Sequence, residues 1–360
     1  MKVRYPDYYK KFRCIAGECP DTCCAGWEIA VDRNSEKQYR DLQKQGKISN
    51  RDFAKKLKKY VKDGRILSED VTCPFLNPDG LCEMYLELGP ESLCHTCARH
   101  PRHLEDYGNL HEMVLLLSCP EVARLVLEEN GGGFYVRDLP EKQGNMDGID
   151  EELSELLLRV RDLIWKIGRD DRMTMNRRMA FSLALAHDVQ RCLIPRQIVM
   201  IERVLERYEK AGAEKRFFAQ WNRKSVNSDT LMTDFIDEFG KLELICKVWP
   251  EMMQRMRDCS RRSEEHPDYA NVFAYFLYSF FMASLYDEDI LTKVKMAVMC
   301  TMMVEMLYAS AVEELTTENR VSICHALARQ IENSDANRFA LEAMLKGNTF
   351  SARRIIDALL

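Results

Sequence analysis

Cysteines are concentrated in the first third of the chain. Of 14 cysteines in 360 residues, nine precede residue 120: Cys14, Cys19, Cys23, Cys24, Cys73, Cys82, Cys94, Cys97 and Cys119. A chain of this length does not need covalent cross-links to stabilise its core, so thiols this dense indicate a metal centre. Four thiolates suffice for one zinc ion or one iron–sulfur cluster. Nine thiols therefore predict either two centres or one centre with additional cysteines.

Two local patterns bring thiols near one another. The turn sequence Asn77-Pro78-Asp79-Gly80 predicts a hairpin-like loop with Cys73 on one arm and Cys82 on the other. Cys94 and Cys97 have the Cys-x-x-Cys spacing that lets two sulfurs converge on one ion. The spacing does not separate iron from zinc. We predict an iron–sulfur centre, with zinc as the alternative.

Polar residues close to this pair offer further chemistry. His95, His100 and His103 are candidates either for metal ligands or for hydrogen-bond donors to a cluster sulfur. Arg99 and Arg102 are candidates for bidentate binding of a carboxylate, such as that of a methionine-derived cofactor. Surface positions are the alternative for all five residues.

Composition and charge narrow the class of protein. Net charge is −5 and the sequence pI is about 5.9, which gives no overall basic field for nucleic acid. The first residues carry no apolar signal segment, so we expect a cytoplasmic protein, in which clustered cysteines more often bind metal than form disulfides. Residues 269–286 are uncharged over 18 positions, the lower limit for a membrane span. Because polar side chains interrupt this run, we predict a buried helix and no membrane span.

The elements that must position these residues are mainly helical. We predict a mainly α protein, in which a Cys-rich metal-binding domain with loops at 1–130 precedes an all-helical domain at 149–360. A linker at 131–148, opened by three consecutive glycines, would join them. Residues 34–63 are expected to be helical. In the second domain, apolar periodicity from residue 150 predicts a first helix, and others follow near 174–191, 195–211, 213–223, 229–248, 250–262, 268–285, 289–314, 320–332 and 336–346.

Capping signals mark several ends of these helices. Ser334 or Asp335 would begin the helix at 336–346, Gly347 would end it, and Ser351 would open a final short helix. The acidic residues 287–289 follow the uncharged run. They would either cap the next helix or receive a cationic substrate side chain.

The cysteine motifs resemble the flagellin lysine-N-methylase family. The likeness is densest over residues 8–125 and continues more loosely over 268–310. The matching motifs are Cys14-x4-Cys19-x3-Cys23-Cys24 with the Gly-Trp that follows, Cys73-Pro-Phe-Leu, Gly80-Leu-Cys82, Glu87-Leu-Gly89, Thr96-Cys97 with Pro101-Arg102, and Ser118-Cys119-Pro120-Glu121.

The resemblance implies an enzyme that moves a methyl group from S-adenosylmethionine to lysine ε-amines of flagellin, with a 4Fe-4S cluster. The cysteines that match the family pattern, and that it implies as metal ligands, are Cys14, Cys19, Cys23, Cys24, Cys73, Cys82, Cys97 and Cys119. Cys94 is an addition of this chain. The cleft between the two domains would hold cofactor and substrate. The alternative is a metal-binding or electron-transfer protein with a Cys-ligated cluster and no methyl transfer.

Overall fold

The structure, a computed structural model, describes residues 2–25, 29–68, 72–128, 134–138, 150–221, 228–259 and 264–360. The prediction of a mainly α protein is confirmed. The α-helices of the described residues are α1 Arg33–Lys44, α2 Arg51–Tyr60, α3 Glu83–Leu88, α4 His95–Arg99, α5 Pro120–Glu128, α6 Glu151–Gly168, α7 Met175–Leu193, α8 Ile198–Glu209, α9 Ala213–Gln220, α10 Leu231–Phe239, α11 Trp249–Asp258, α12 Asp268–Phe281, α13 Ser284–Asp287, α14 Ile290–Ala309, α15 Thr317–Glu332, α16 Asp335–Lys346 and α17 Ala352–Leu359.

Two small sheets accompany the N-terminal helices. Their strands are β1 Lys2–Pro6, β2 Ile29–Ala30, β3 Val61–Lys62, β4 Arg65–Ile66, β5 Arg102–Tyr107, β6 Leu110–Leu115 and β7 Phe134–Asp138. The four-stranded sheet has the order β5-β6-β1-β7, with β1 parallel to β6. The three-stranded sheet has the order β2-β4-β3. The N-terminal part is therefore less loop-like than the sequence predicts.

Most of the predicted linker, residues 131–133 and 139–148, lies outside the described residues. Strand β7 falls within its bounds and pairs with β1. The division into domains at this linker stays a prediction. The larger hydrophobic core contains residues from both sides of it, including Phe12, Leu115 and Val122 with Phe273 and Leu327. A smaller core has its buried residues between Ile29 and Cys94, including Cys73, and Cys24 and Cys97 pack against it.

Helix ends follow the predicted capping residues. The Ser334 side chain accepts a hydrogen bond from the Asn337 amide, Gly347 ends α16, and the Ser351 side chain caps α17. Asp289 caps α14 by accepting from the amide of Thr292. Each such cap satisfies a backbone donor that the helix itself leaves unpaired.

Two predicted helices are shorter or divided. Residues 34–63 form α1 and α2 separately, and the Asn50 side chain begins α2 by accepting from backbone amides. The helix expected at 229–248 ends at Phe239. The amides of Ile245 and Cys246 instead bond to the side-chain oxygen of Gln330, so a distant helix satisfies this backbone.

Most of the uncharged run is the buried helix α12, as predicted, but the run continues past a turn into the short helix α13, where Tyr286 is exposed. In α12, Phe273, Phe276 and Leu277 have no exposed surface. None of the helices in the described ranges combines the length and hydropathy that a bilayer crossing requires.

A buried ion pair joins the four-stranded sheet to α6. The Arg161 guanidinium donates to both carboxylate oxygens of Glu112, at 2.7 and 2.5 Å, and both side chains are 2% exposed. The bidentate geometry satisfies both charges away from water. This pair fixes strand β6, which leads directly into Cys119 and α5, against the C-terminal helices.

Candidate functional site

Backbone hydrogen bonds join the segment that ends at Cys24 and Ala25 to the segment that begins at Thr72 and Cys73. The amide of Cys73 donates to the Cys24 carbonyl at 2.7 Å, and Ala25 forms a β-bridge with Thr72. The predicted turn is present, because the Asn77 side chain accepts from the amides of Asp79 and Leu81. It returns the chain so that Leu76 and Cys82 form a second bridge. Local turn chemistry thus positions Cys73 and Cys82 beside the N-terminal loop.

A first group of thiols, Cys24, Cys73, Cys82, Cys94 and Cys97, belongs to the smaller core or packs against it. The sulfurs of Cys23 and Cys73 are each hydrogen-bonded to the Cys24 sulfur. The thiol of Cys97 is hydrogen-bonded to the sulfur of Cys94. Cys97 also interacts electrostatically with Cys24 and Cys73. The structure therefore collects these five sulfurs on one side of the N-terminal part.

Hydrogen bonding lets these thiols share protons. Cys24 is hydrogen-bonded to Cys23 and Cys73, and Cys94 is hydrogen-bonded to Cys97. Because the thiolate is the form that binds metal, a metal bound to these sulfurs would displace the protons that they share.

A second group of thiols consists of Cys14, Cys19, Cys23 and Cys119. Burial, with the neighbouring Cys19 and Cys14 sulfurs, raises the pKa of Cys119 to about 11. Cys23 interacts with Cys14 and Cys119 and is hydrogen-bonded to Cys24. It therefore links the two groups. The eight cysteines predicted as ligands are divided between the two groups, four in each.

The chemistry of this donor set fits a thiolate-bound metal. All nine thiols before residue 120 are free, and soft sulfur ligands suit zinc or an iron–sulfur cluster. In the ranges that the structure describes, however, no three His, Cys, Asp or Glu side chains are already arranged as a metal site. The predicted ligand set remains a prediction, and Cys94 joins it through its contact with Cys97.

The predicted polar residues near Cys97 have different surroundings. Burial lowers the pKa of His100 to about 4, and its ring lies near Cys24, so it is a neutral neighbour of the first group. His103 contacts Glu105 at 2.8 Å, and His95 is exposed. The Arg102 guanidinium lies over the Phe12 ring at 4.9 Å. Of the three histidines, His100 is therefore the best candidate for a hydrogen-bond partner of a metal-bound sulfur.

The acidic residues 287–289 are bound by basic side chains of the same chain, and Glu288 pairs with Arg196. Lys293, only 4% exposed, lies 2.9 Å from Asp287, and Lys346 lies 3.7 Å from Asp289. Asp289 also caps α14. The capping alternative therefore describes this segment, and its charge is compensated internally.

A group of polar side chains joins residues 14–25, which we call the cysteine loop, to helix α15. Asp21 lies between Cys19 and Cys23, and it is bonded to Arg329 and lies 3.2 Å from His325. Arg329 also donates to the carbonyl of Ala25. Burial alone would raise the pKa of Asp21, but His325 and Arg329 outweigh it and hold that pKa well below its usual range. We call Asp21, His325 and Arg329 the α15 latch.

A cavity of about 240 Å³ opens beside the latch. Its lining comes from the cysteine loop, from the start of α5 and from α15: Ile15, Pro20, Asp21, Pro120, Glu121, Arg124, Thr317, Glu318, Val321, Ser322 and His325. Ile15, Pro20 and Pro120 each directly follow a cysteine of the second group. The cavity therefore lies where that thiol group meets a C-terminal helix.

Sequence reasoning did not single out the latch or the cavity. His325 and Arg329 stand four residues apart in an apolar helix, and their partner Asp21 lies more than 300 positions earlier. Nothing local signals that pairing. Cys94 did carry a signal, its spacing to Cys97.

These features define a class: a mainly helical protein whose thiol-rich N-terminal part packs on a C-terminal helical part. Residues 161–356 match the family described as the FliB lysine N-methylase C-terminal domain, so the chain belongs to the FliB lysine N-methylase family. The match covers α7 to α16 completely, including the latch residues of α15.

Individual relatives match a smaller share of the chain. The flagellar biosynthetic protein FliU of Salmonella muenchen is 33% identical over 134 residues, which are 36% of this chain and 79% of that protein. The lysine-N-methylases of Salmonella typhimurium and Salmonella choleraesuis are 33% and 30% identical over 141 residues. That alignment covers 33% of each methylase, so the match spans about a third of their length. No solved structure matches the chain.

Proposed function

We propose that the chain methylates lysine ε-amines of a protein substrate. Family membership supports this, as do relatives named lysine-N-methylase. The observation that carries the proposal is the cavity: three cysteine-adjacent residues form one wall, and α15 of the matched region forms another. A concave space between two chemically different parts of a protein is where an active site is expected.

We further propose S-adenosylmethionine as the methyl donor and flagellin as the substrate. A relative named as a flagellar biosynthetic protein supports flagellin. In the transfer, the neutral lysine nitrogen forms a bond to the methyl carbon, the carbon–sulfur bond breaks, and its electron pair stays on sulfur. The lysine must first lose a proton, because the ammonium form has no free electron pair. The proton would pass to solvent water or to a carboxylate of the site.

We also propose that the N-terminal cysteines hold a 4Fe-4S cluster, with zinc as the alternative. Cys24, Cys73, Cys94 and Cys97, whose sulfurs interact with one another, would form a four-sulfur ligand set. When bound, such a group would supply either a binding position for the donor's amino-carboxylate or an electron carrier. His100 would stay neutral beside it, since burial lowers its pKa. We place the activity in the cytoplasm, where clustered thiols stay reduced.

The direct test is mass spectrometry of flagellin from a strain that lacks this chain. The proposal predicts flagellin lysines without added methyl groups, and restored methylation when the wild-type chain is supplied again. Unchanged methylation in the deletion strain would refute flagellin as the substrate. Purified chain that transfers no methyl group to any protein lysine would refute the methylase proposal itself.

A further inference from the structure

The size of the cavity beside the α15 latch limits what it can hold. Pockets that enclose a drug-sized ligand have volumes of about 300–1,000 Å³, and this cavity has about 240 Å³. A complete nucleoside-containing methyl donor belongs to the larger class. A single long side chain is the better match to this volume.

The lining offers an apolar surface next to polar groups. Ile15, Pro20, Pro120 and Val321 contribute hydrocarbon, and Val321 is 8% exposed. Long amphipathic side chains lay their methylene stem on such a surface and keep the charged end in a polar place. The cavity therefore suits a flexible stem with a charged tip.

The charges of the lining favour a cation at that tip. Three carboxylates, those of Asp21, Glu121 and Glu318, line the cavity with two basic side chains, Arg124 and His325. Arg329 is bonded to Asp21, and Arg124 is bound to Glu121, so two of the three carboxylates already have a cationic partner. Glu318 is then the carboxylate of the lining that would attract an ammonium.

Glu318 is the lining carboxylate that could pair with an incoming cation, because the nearby arginines are bound to other carboxylates. Glu121 is bound by Arg124 at 2.6 Å, and Asp21 belongs to the latch. Glu318 is exposed at the first turn of α15. Arg320 is nearby but is paired with Asp268 at 2.8 Å. The Glu318 carboxylate accepts a hydrogen bond from the Thr316 side chain and belongs to the exposed part of the lining, where an incoming ammonium would meet it.

We propose that this cavity binds the side chain of the substrate lysine, with its methylene stem on Val321 and Pro120 and its amine within reach of the Glu318 carboxylate. The inference rests on the proposed lysine methylation. It adds the place of the acceptor, and it assigns Glu318 and Val321 to substrate binding. The methyl donor would approach from the side of the second thiol group, whose cysteines precede three of the lining residues.

The test measures binding of a short peptide with one lysine to the full chain by saturation-transfer NMR. A second peptide carries norleucine, which keeps the stem and lacks the amine. The inference predicts saturation of the lysine side-chain methylenes and weaker binding of the norleucine peptide. Equal binding of the two peptides, or no binding of the lysine peptide at millimolar concentration, would overturn it.

Two variants address the cavity, each with a matched control. Ser322→Trp fills the space from an exposed lining position and should abolish binding, whereas Ala340→Trp adds the same bulk to an exposed position on α16. Glu318→Gln should weaken binding by roughly two- to fivefold, as expected for one partly exposed ion pair. Glu314→Gln, at an exposed position outside the lining, should leave binding unchanged. Wild-type affinity in Ser322→Trp would contradict the inference.

A parallel methylation assay separates this inference from the proposed function. If the wild-type chain methylates lysine and Ser322→Trp does so equally well, the site is wrong and the function stands. If the wild-type chain binds the lysine peptide as predicted but transfers no methyl group to any protein, the function fails and the binding site stands.

Discussion

Loss of the Arg329 charge should release the cysteine loop from helix α15. Arg329 is 6% exposed and Asp21 is 34% exposed. Breaking a fully buried pair costs about 3–5 kcal/mol, and breaking a surface pair costs at most about 1 kcal/mol. Because Asp21 is a third exposed and keeps His325 as a partner, we expect Arg329→Met to destabilise the closed loop by about 2 kcal/mol.

Hydrogen exchange of residues 19–25, read by mass spectrometry, measures this local opening. A cost of about 2 kcal/mol corresponds to roughly thirtyfold faster exchange of amides protected by the closed loop. Arg338→Met is the matched control, since Arg338 is paired with the 82% exposed Asp335, and this variant should leave the exchange unchanged. Equal exchange in the wild type and Arg329→Met would refute the latch as the element that holds the loop.

Three further predictions concern stability. Glu112→Gln should destabilise the fold by about 3–5 kcal/mol in a thermal or urea titration, because it leaves the Arg161 guanidinium buried without its carboxylate; a loss below about 1 kcal/mol would contradict a buried pair. Burial, with the charge of Glu265, raises the pKa of Glu305 from 4.5 to about 8. The folded state then keeps a proton that the unfolded state has lost, so stability should fall as pH rises from 4.5 to about 8, and Glu305→Gln should lessen this fall; an identical pH profile would count against it. Asn77→Ala should cost about 1 kcal/mol and raise cysteine labelling in the turn, because two backbone amides lose their acceptor; unaltered labelling and stability would show that the turn does not depend on it.

Local chemistry predicted the elements whose signals lie within a few residues. Ser334, Gly347 and Ser351 mark helix ends because capping uses the residue at the end itself. The Asn77 turn was readable for the same reason. The helix at 229–248 was predicted too long because the chain leaves the helix after Phe239, and Gln330, from α15, binds the amides of Ile245 and Cys246 that a longer helix would have paired internally.

The sheet and the latch depend on partners far away in the chain. Strand β1 has only five residues, and it pairs with β6 more than 100 positions later. The cysteine spacing predicted thiols in close company, and the fold brings them together in two neighbouring groups. The sequence did not predict the cavity, because its walls come from segments that meet only after the N-terminal part packs on α15.

The central claim is that this chain transfers methyl groups to lysine at the junction of its thiol-rich part and α15. The most direct measurement is the mass of purified unmethylated flagellin after incubation with anaerobically prepared wild-type chain and S-adenosylmethionine. We predict added methyl groups that map to lysines, and a loss of this product with the Ser322→Trp chain. Flagellin that keeps its unmodified mass with the wild-type chain would contradict the account.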